Sequence, residues 1–161
     1  VPQNAAQRAA LIEVARHVPH RRLSLANSAG ICLGADYAFD LTRPGVALYG
    51  GVPRHEGAGH LRQVAFPQAQ ILQCRRVPAG GRVGYSGTWV AERETAIAIL
   101  NIGYADGVLR GFSNRGQAFA DDAALPFVGR VSMDLIAVDI SAAPHFQEGD
   151  WVTIDYDLPR A

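Results

Sequence analysis

The pattern of apolar residues changes character at residues 53–59 (PRHEGAG), and the two patterns on either side do not belong to one layered architecture. Ahead of the break, residues 2–18 place Leu11, Val14, Ala15 and Val18 at helical spacing, with Pro19 as a stop. Residues 22–26 (RLSLA) read as a short strand that runs into Asn27-Ser28, a capping pair for a short helix through Leu33, ended by Gly34. A second strand at 39–42 leads into Arg43-Pro44-Gly45 and the short helical run VALYG. Helix, strand, short helix, strand, short helix is the order of consecutive βα units. About fifty residues cannot close a barrel or complete a doubly wound sheet, so the sequence predicts an incomplete α/β piece, the end of something larger.

Beyond the break come short apolar runs separated by turn residues: 69–77, 82–85, 95–102, 116–120, 125–131, 135–140 and 151–154. Strands of this length and spacing, with no long helix among them, predict a mostly β domain built as a small barrel or sandwich. Its expected core includes Ile71, Ile97, Ile99, Val128, Ile136, Val138 and Trp151. The expected division is 1–55 for the α/β piece and 56–161 for the β-rich domain, whose own fold begins near Leu61. The ending, YDLPRA, has no structural finish, and the sequence predicts truncation there too.

Charge and cysteine usage narrow the function. Formal net charge is zero and the pI is about 7.1, which gives no electrostatic footprint for nucleic acid or an anionic membrane. No apolar run reaches membrane-spanning length, and VPQNAAQRAAL has no signal-peptide layout. Cys32 and Cys74 stand far apart without CxxC spacing and read as small buried hydrophobes of a reducing, cytoplasmic compartment. The five histidines form no HxH or HExxH arrangement, so no metal is assigned. All 15 basic residues are arginines, so no side chain of this sequence can form a Schiff base.

Residues 81–107 (GRVGYSGTWVAERETAIAILNIGYADG) carry two tyrosines, Tyr85 and Tyr104, each flanked by glycines at the end of an expected strand. A free phenol has a pKa of about 10, so a tyrosine acting as a base near neutrality needs positive charge close by. Arg82, Arg110 and Arg130 are candidates. Asn27-Ser28 and Gly45-Val46 could each turn backbone N–H groups toward a phosphate; the same residues are also routine caps and turns. Arg43 falls at the C-terminal end of its strand, where α/β-barrel chemistry gathers, and a surface ion pair would place it there equally well. Met133-Asp134 fits packing and a turn as readily as a site.

Taken in order, SLANSAG, RPGVALYG, VGYSGTW, IGYADG and GRVSMD resemble alanine racemase, over nearly the whole chain. What matches is the C-terminal portion of that family: the last turns of its cofactor barrel and most of its β domain. The resemblance implies a fold-type III pyridoxal 5'-phosphate enzyme that interconverts L- and D-alanine for the bacterial cell wall. It implies a head-to-tail homodimer with active sites at the subunit interface. Tyr85 then corresponds to the catalytic tyrosine, reaching the cofactor of the partner subunit. Arg43 corresponds to the arginine facing the pyridine nitrogen, and Ser28, Gly45 and Val46, with Asn27 beside them, to the phosphate site. Tyr104 and Met133 correspond to neighbours of the substrate, and Arg110, Arg130 and Asp134 to residues further out along the entry channel.

The cofactor lysine of the family belongs to an N-terminal segment outside these 161 residues, so the chain alone is expected to be inactive. A further phosphate-binding tyrosine of the family lies beyond the matched segment; Tyr156 is near that point but is not given its role. Two other readings stay open at this stage: a non-catalytic β module for dimerisation or interaction, and a racemase of another amino acid.

Overall fold

Helix α1 (Pro2–His17) begins on a proline, whose missing N–H is no loss at a helix N-terminus, and ends where Val18 becomes extended. The stripe read from the sequence is present but poorly covered: Leu11 and Ala15 are half-buried, Val14 and Val18 exposed. The computed structural model describes residues 1–156, in two units, Val1–Ala65 and Phe66–Tyr156.

In the first unit, β1 (Ser24–Asn27) is followed by α2 (Ser28–Ile31), and β2 (Leu41–Arg43) pairs with β1 in parallel. Both strands start two residues later than the apolar runs suggest. The Leu23 and Asp40 backbones are engaged just ahead of them: the Leu23 N–H donates to Asp40 Oδ2 at 2.8 Å, and the Asp40 and Leu41 N–H groups both donate to the Leu23 carbonyl. Phe39, at φ 51°, turns the chain before β2. A 3-10 turn, Val46–Tyr49, completes the order expected of βα units.

The PRHEGAG stretch is not a free linker. The Arg54 guanidinium donates twice to the Glu56 carboxylate, at 3.0 and 2.5 Å, and His55–Gly57 forms a 3-10 turn. Gly57 is buried where a Cβ would stand 3.1 Å from Cys32 Sγ and 3.3 Å from Leu61 Cδ1. These contacts hold residues 56–65, Leu61 among them, in the first unit, so the division falls ten residues after the expected 55/56.

The second unit contains β3 (Gln68–Val77), β4 (Arg82–Val83), β5 (Trp89–Val90), β6 (Thr95–Leu100), β7 (Gln117–Ala120), β8 (Ala123–Pro126), β9 (Ile136–Asp139) and β10 (Trp151–Ile154). Six of these form an antiparallel sheet in the order β8-β7-β10-β3-β6-β9. Phe127, just past β8, bridges to Val138 of β9, and the Val128 N–H donates to the Ala137 carbonyl at 2.9 Å. The sheet therefore closes on itself as a small barrel, which leaves no open edges. The two-residue strands β4 and β5 pair separately as an antiparallel hairpin.

Of the expected core, Ile71, Ile97, Val128, Ile136 and Val138 are buried and Ile99 is half-buried. Trp151 is not core; it is 55% exposed, because Val152 and Ile154 take the inward positions of β10 and the alternation turns Trp151 outward. Strand β5 was not expected from sequence: two residues carry no periodicity.

Candidate functional site

In the first unit the expected residues gather at the C-terminal ends of β1 and β2. Parallel pairing sets Asn27 opposite Arg43, and each strand then runs into its loop. Ser28 is 5% exposed, and its Oγ accepts from the Gly45 N–H at 2.8 Å and the Ala47 N–H at 3.3 Å. One hydroxyl thus ties the loop after β2 to the start of α2, while its own hydrogen has no acceptor among the described residues. The Val46 N–H has none among them either. Arg43 is exposed and gives one bond, Nη2 to the Leu25 carbonyl at 3.1 Å, with no carboxylate in ion-pair range among the described residues. Ser28, Val46 and Arg43 therefore present unused donors. The Asn27 side chain is committed differently: its Oδ1 caps α2 by accepting from the Gly30 N–H at 2.9 Å. The Gly45 N–H is spent on Ser28.

A donor-only set at strand ends suits an anion such as a phosphate together with an acceptor nitrogen. Pyridoxal phosphate offers both. A cavity of about 250 Å³ lined by Asn4, Tyr37, Asn27 and Arg54, among others, includes none of Ser28, Arg43, Gly45 or Val46 in its lining.

In the second unit Tyr85 opens a tight turn, Tyr85–Gly87, between β4 and β5. Gly84 before it has φ 74° and Gly129 has φ 81°, and the two backbones cross in contact. A Cβ on Gly84 would stand 2.9 Å from the Arg130 amide nitrogen, and one on Gly129 would stand 2.8 Å from the Val83 carbonyl oxygen. Only glycine fits at both places. The Tyr85 ring projects from this crossing 63% exposed, and its hydroxyl has no partner among the described residues.

Tyr104 follows β6 and meets the segment that begins at Gly129 farther along, at residues 132–133. Its N–H donates to the Ser132 carbonyl at 3.0 Å, and the Ala105 N–H donates to that of Met133 at 2.9 Å. The Asp106 carboxylate holds the Gly103 N–H at 2.9 Å, and a side chain on Gly103 would collide with the Met133 carbonyl. The Arg110 guanidinium lies 5.5 Å from the Tyr104 ring centroid, a cation–π contact. Met133 is 52% exposed. Residues 129–134 thus form a spine, with the Tyr85 turn against its start and the Tyr104 turn against its end; Arg130 and Asp134 are exposed along it. Of the arginines considered as neighbours for Tyr85, Arg82 is occupied by the Gly87 carbonyl at 3.1 Å and Arg110 by Tyr104.

Ser113 and Asn114, which join this spine from a third loop, escaped the sequence reading because SNRG reads as an ordinary turn. Burial, then Glu148 and Asp150, push the Cys74 thiol up from its ordinary pKa, in keeping with a structural cysteine. No helix among the described residues is long and apolar enough to cross a membrane.

Comparison with known proteins finds the same likeness in both units. Residues 1–53 match the family model for the alanine racemase N-terminal domain, and residues 64–157 that for the alanine racemase C-terminal domain. The chain is 46% identical over 141 residues to the catabolic alanine racemase of Agrobacterium fabrum, covering 88% of this chain and 36% of that one. It is 44% identical over 151 residues to the alanine racemase of Acidiphilium cryptum, covering 94% and 42%. Among solved structures, the alanine racemase of Bartonella henselae with covalently bound pyridoxal phosphate aligns at a TM-score of 0.74 and 41% identity, over 98% of this chain and 44% of that one. The alanine racemase of Streptomyces coelicolor aligns at 0.78 and 29% identity, over 96% and 42%. The chain spans well under half the length of each of these relatives.

Proposed function

The chain belongs to the alanine racemase family, and from that premise we propose that the protein carrying it interconverts L- and D-alanine with pyridoxal phosphate, Tyr85 being one of two acid/base groups. The observation that carries this reading is the Tyr85 turn. A phenol with no partner among the described residues, 63% exposed, stands on a backbone locked by two glycines. That is an expensive way to place a side chain that does nothing, and it suits a group completing a site on another subunit. The active unit is accordingly a homodimer in the cytoplasm, with Tyr85 of one subunit serving the partner's site.

Bound at the first-unit strand ends, the cofactor would supply an electron sink that acidifies the α-hydrogen of alanine. Ser28 and the Val46 N–H would hold its phosphate. Arg43, always charged and only a donor, would face the ring nitrogen and keep a proton off it, which weakens the sink and suppresses side reactions such as transamination. Inverting the α-carbon requires a proton to leave one face and another to arrive on the opposite face. Tyr85 Oη takes or gives the proton on the face of the L-enantiomer. The group opposite is a lysine from outside these residues, which contain none. Tyr104 and Met133 border the substrate, and Arg110, Arg130 and Asp134 its approach.

The test is Tyr85→Phe in the full-length, cofactor-loaded protein. Loss of a positioned acid/base group costs on the order of 100- to 10,000-fold, in both directions of racemisation. In heavy water, L-alanine should nearly stop exchanging its α-hydrogen while D-alanine still exchanges with retention. Equal residual exchange from both enantiomers removes Tyr85 from the acid/base role.

A further inference from the structure

We propose that Asn114, with Ser113 beside it, is a positioning residue for Tyr85, fastening the loops that carry Tyr85, Tyr104 and Met133 into one unit. The proposal rests on the reading of Tyr85 as an acid/base group. Because the Tyr85 hydroxyl has no partner among the described residues, its place is set through its backbone. Besides the Arg82 bond to the Gly87 carbonyl, a contact on each side of the ring holds that backbone. Ahead of the ring is the crossing of Gly84 with Gly129; after it is Thr88, the residue that ends the turn. Asn114 grips both. Its φ of 56° is left-handed, a conformation that asparagine adopts more readily than most side chains. From there the Asn114 N–H donates to the Gly129 carbonyl at 3.2 Å, and Asn114 Oδ1 accepts from the Gly129 N–H at 2.6 Å. Asn114 Nδ2 reaches Thr88 Oγ1 at 3.5 Å. Fixing Gly129 fixes Gly84, because their backbones touch.

Ser113 works on the other side of the spine. Its hydroxyl donates to the Arg110 carbonyl at 2.6 Å and accepts from the Val131 N–H at 3.0 Å. That binds the turn carrying Arg110, and with it the guanidinium over Tyr104, to the segment leading to Met133. Neighbouring side chains thus hold both tyrosines in register without touching either phenol.

The experiment uses the full-length protein, its cofactor bound, with Asn114→Gly as the main variant, since glycine keeps the left-handed backbone and removes only the side chain. A misplacement of about 1 Å can cost on the order of 100-fold, so α-hydrogen exchange from L-alanine should fall roughly 10- to 100-fold while exchange from D-alanine stays within about threefold. Amide hydrogen exchange over residues 84–88 should accelerate, a readout that needs no turnover. In a Tyr85→Phe background the variant should cause no further loss, because Asn114 acts through Tyr85. Asn114→Asp, whose carboxylate can accept from both the Gly129 N–H and the Thr88 hydroxyl, should restore L-alanine exchange.

Equal losses from both enantiomers, additivity with Tyr85→Phe, or unchanged L-alanine exchange overturns the proposal. If Tyr85→Phe itself affects both enantiomers equally, the acid/base reading fails and takes this inference with it; if Tyr85→Phe is selective and Asn114→Gly is not, only the inference fails. Should Asn114→Gly not accumulate folded, Thr88→Val severs the single 3.5 Å contact. It should lower L-alanine exchange selectively by several-fold, and a symmetric effect there overturns the proposal as well.

Discussion

The two units solve the burial problem in opposite ways. Among the described residues, Ala26 is the one buried apolar side chain of the first unit, whereas the second holds a continuous cluster running from Ala69 through Leu100, Leu125 and Val138 to Ile154. The first unit instead leaves Leu41, Val46, Leu48 and Tyr49 exposed around the strand ends where the phosphate site is proposed. A parallel strand pair needs neighbours on both edges and both faces, and two strands with a helix cannot supply them. A six-stranded ring closed by the Phe127–Val138 bridge supplies its own. The proposed binding half thus buries little apolar surface of its own, while the half that carries Tyr85 closes a core with its own residues and can hold a phenol rigidly.

The largest effect expected from this contrast is all-or-none. Expressed alone, residues 66–156 should give dispersed amide NMR spectra and a single cooperative melt, and residues 1–65 neither. A cooperative transition in the 1–65 piece would break the contrast outright.

Why the sequence disclosed one half more completely than the other follows from the same physics. The antiparallel strands bury their residues against a core of their own making, so short apolar runs between turn residues located β3, β6, β7, β9 and β10. Alternation along β10 shows where the reading failed: Trp151 was expected inside, although Val152 and Ile154 fill the inward positions. In the first unit the helical period of Leu11, Val14, Ala15 and Val18 was legible, but the surface it would cover was not. The site was visible only as ordered motifs. That Ser28 would gather the Gly45 and Ala47 amides, or that Gly84 and Gly129 would cross, depends on contacts between distant segments, which carry no local periodicity. Asn114 was invisible for the same reason: its partners, Gly129 and Thr88, are far away in sequence.

A smaller effect sharpens the contrast residue by residue. Leu100 is fully buried in the barrel, and Leu100→Ala should cost about 2–5 kcal/mol in chemical denaturation of the chain, by lost burial and a residual cavity. Leu48 is 62% exposed, and Leu48→Ala should stay within about 0.5 kcal/mol in the same measurement. Comparable losses would mean that the first unit has a core of its own.

The smallest effect concerns acid. Paired hydrogen bonds from Arg54, aided by a backbone bond and the charges of Arg54 and His55, hold the Glu56 carboxyl at a pKa of about 2, below its ordinary 4.5. A depressed carboxylate pKa means that the folded chain binds its proton more weakly than the unfolded chain does. The stabilisation is therefore fully present above about pH 4.5 and is lost as pH falls toward about 2. Both partners remain partly open to solvent, at 27% and 35% side-chain exposure, so salt screens the pair and its weight in stability is small. Its structural consequence is local: it fastens the turn that buries Gly57 against Cys32 and keeps residues 56–65 with the first unit. Carboxyl NMR of the full chain should find the Glu56 midpoint near 2 at low salt, rising with added salt. Arg54→Gln should return it toward 4.5 and speed amide exchange at residues 55–58, leaving β3 to β10 untouched. A midpoint near 4.5 in the unmodified chain would show that this turn is the free linker its composition suggests.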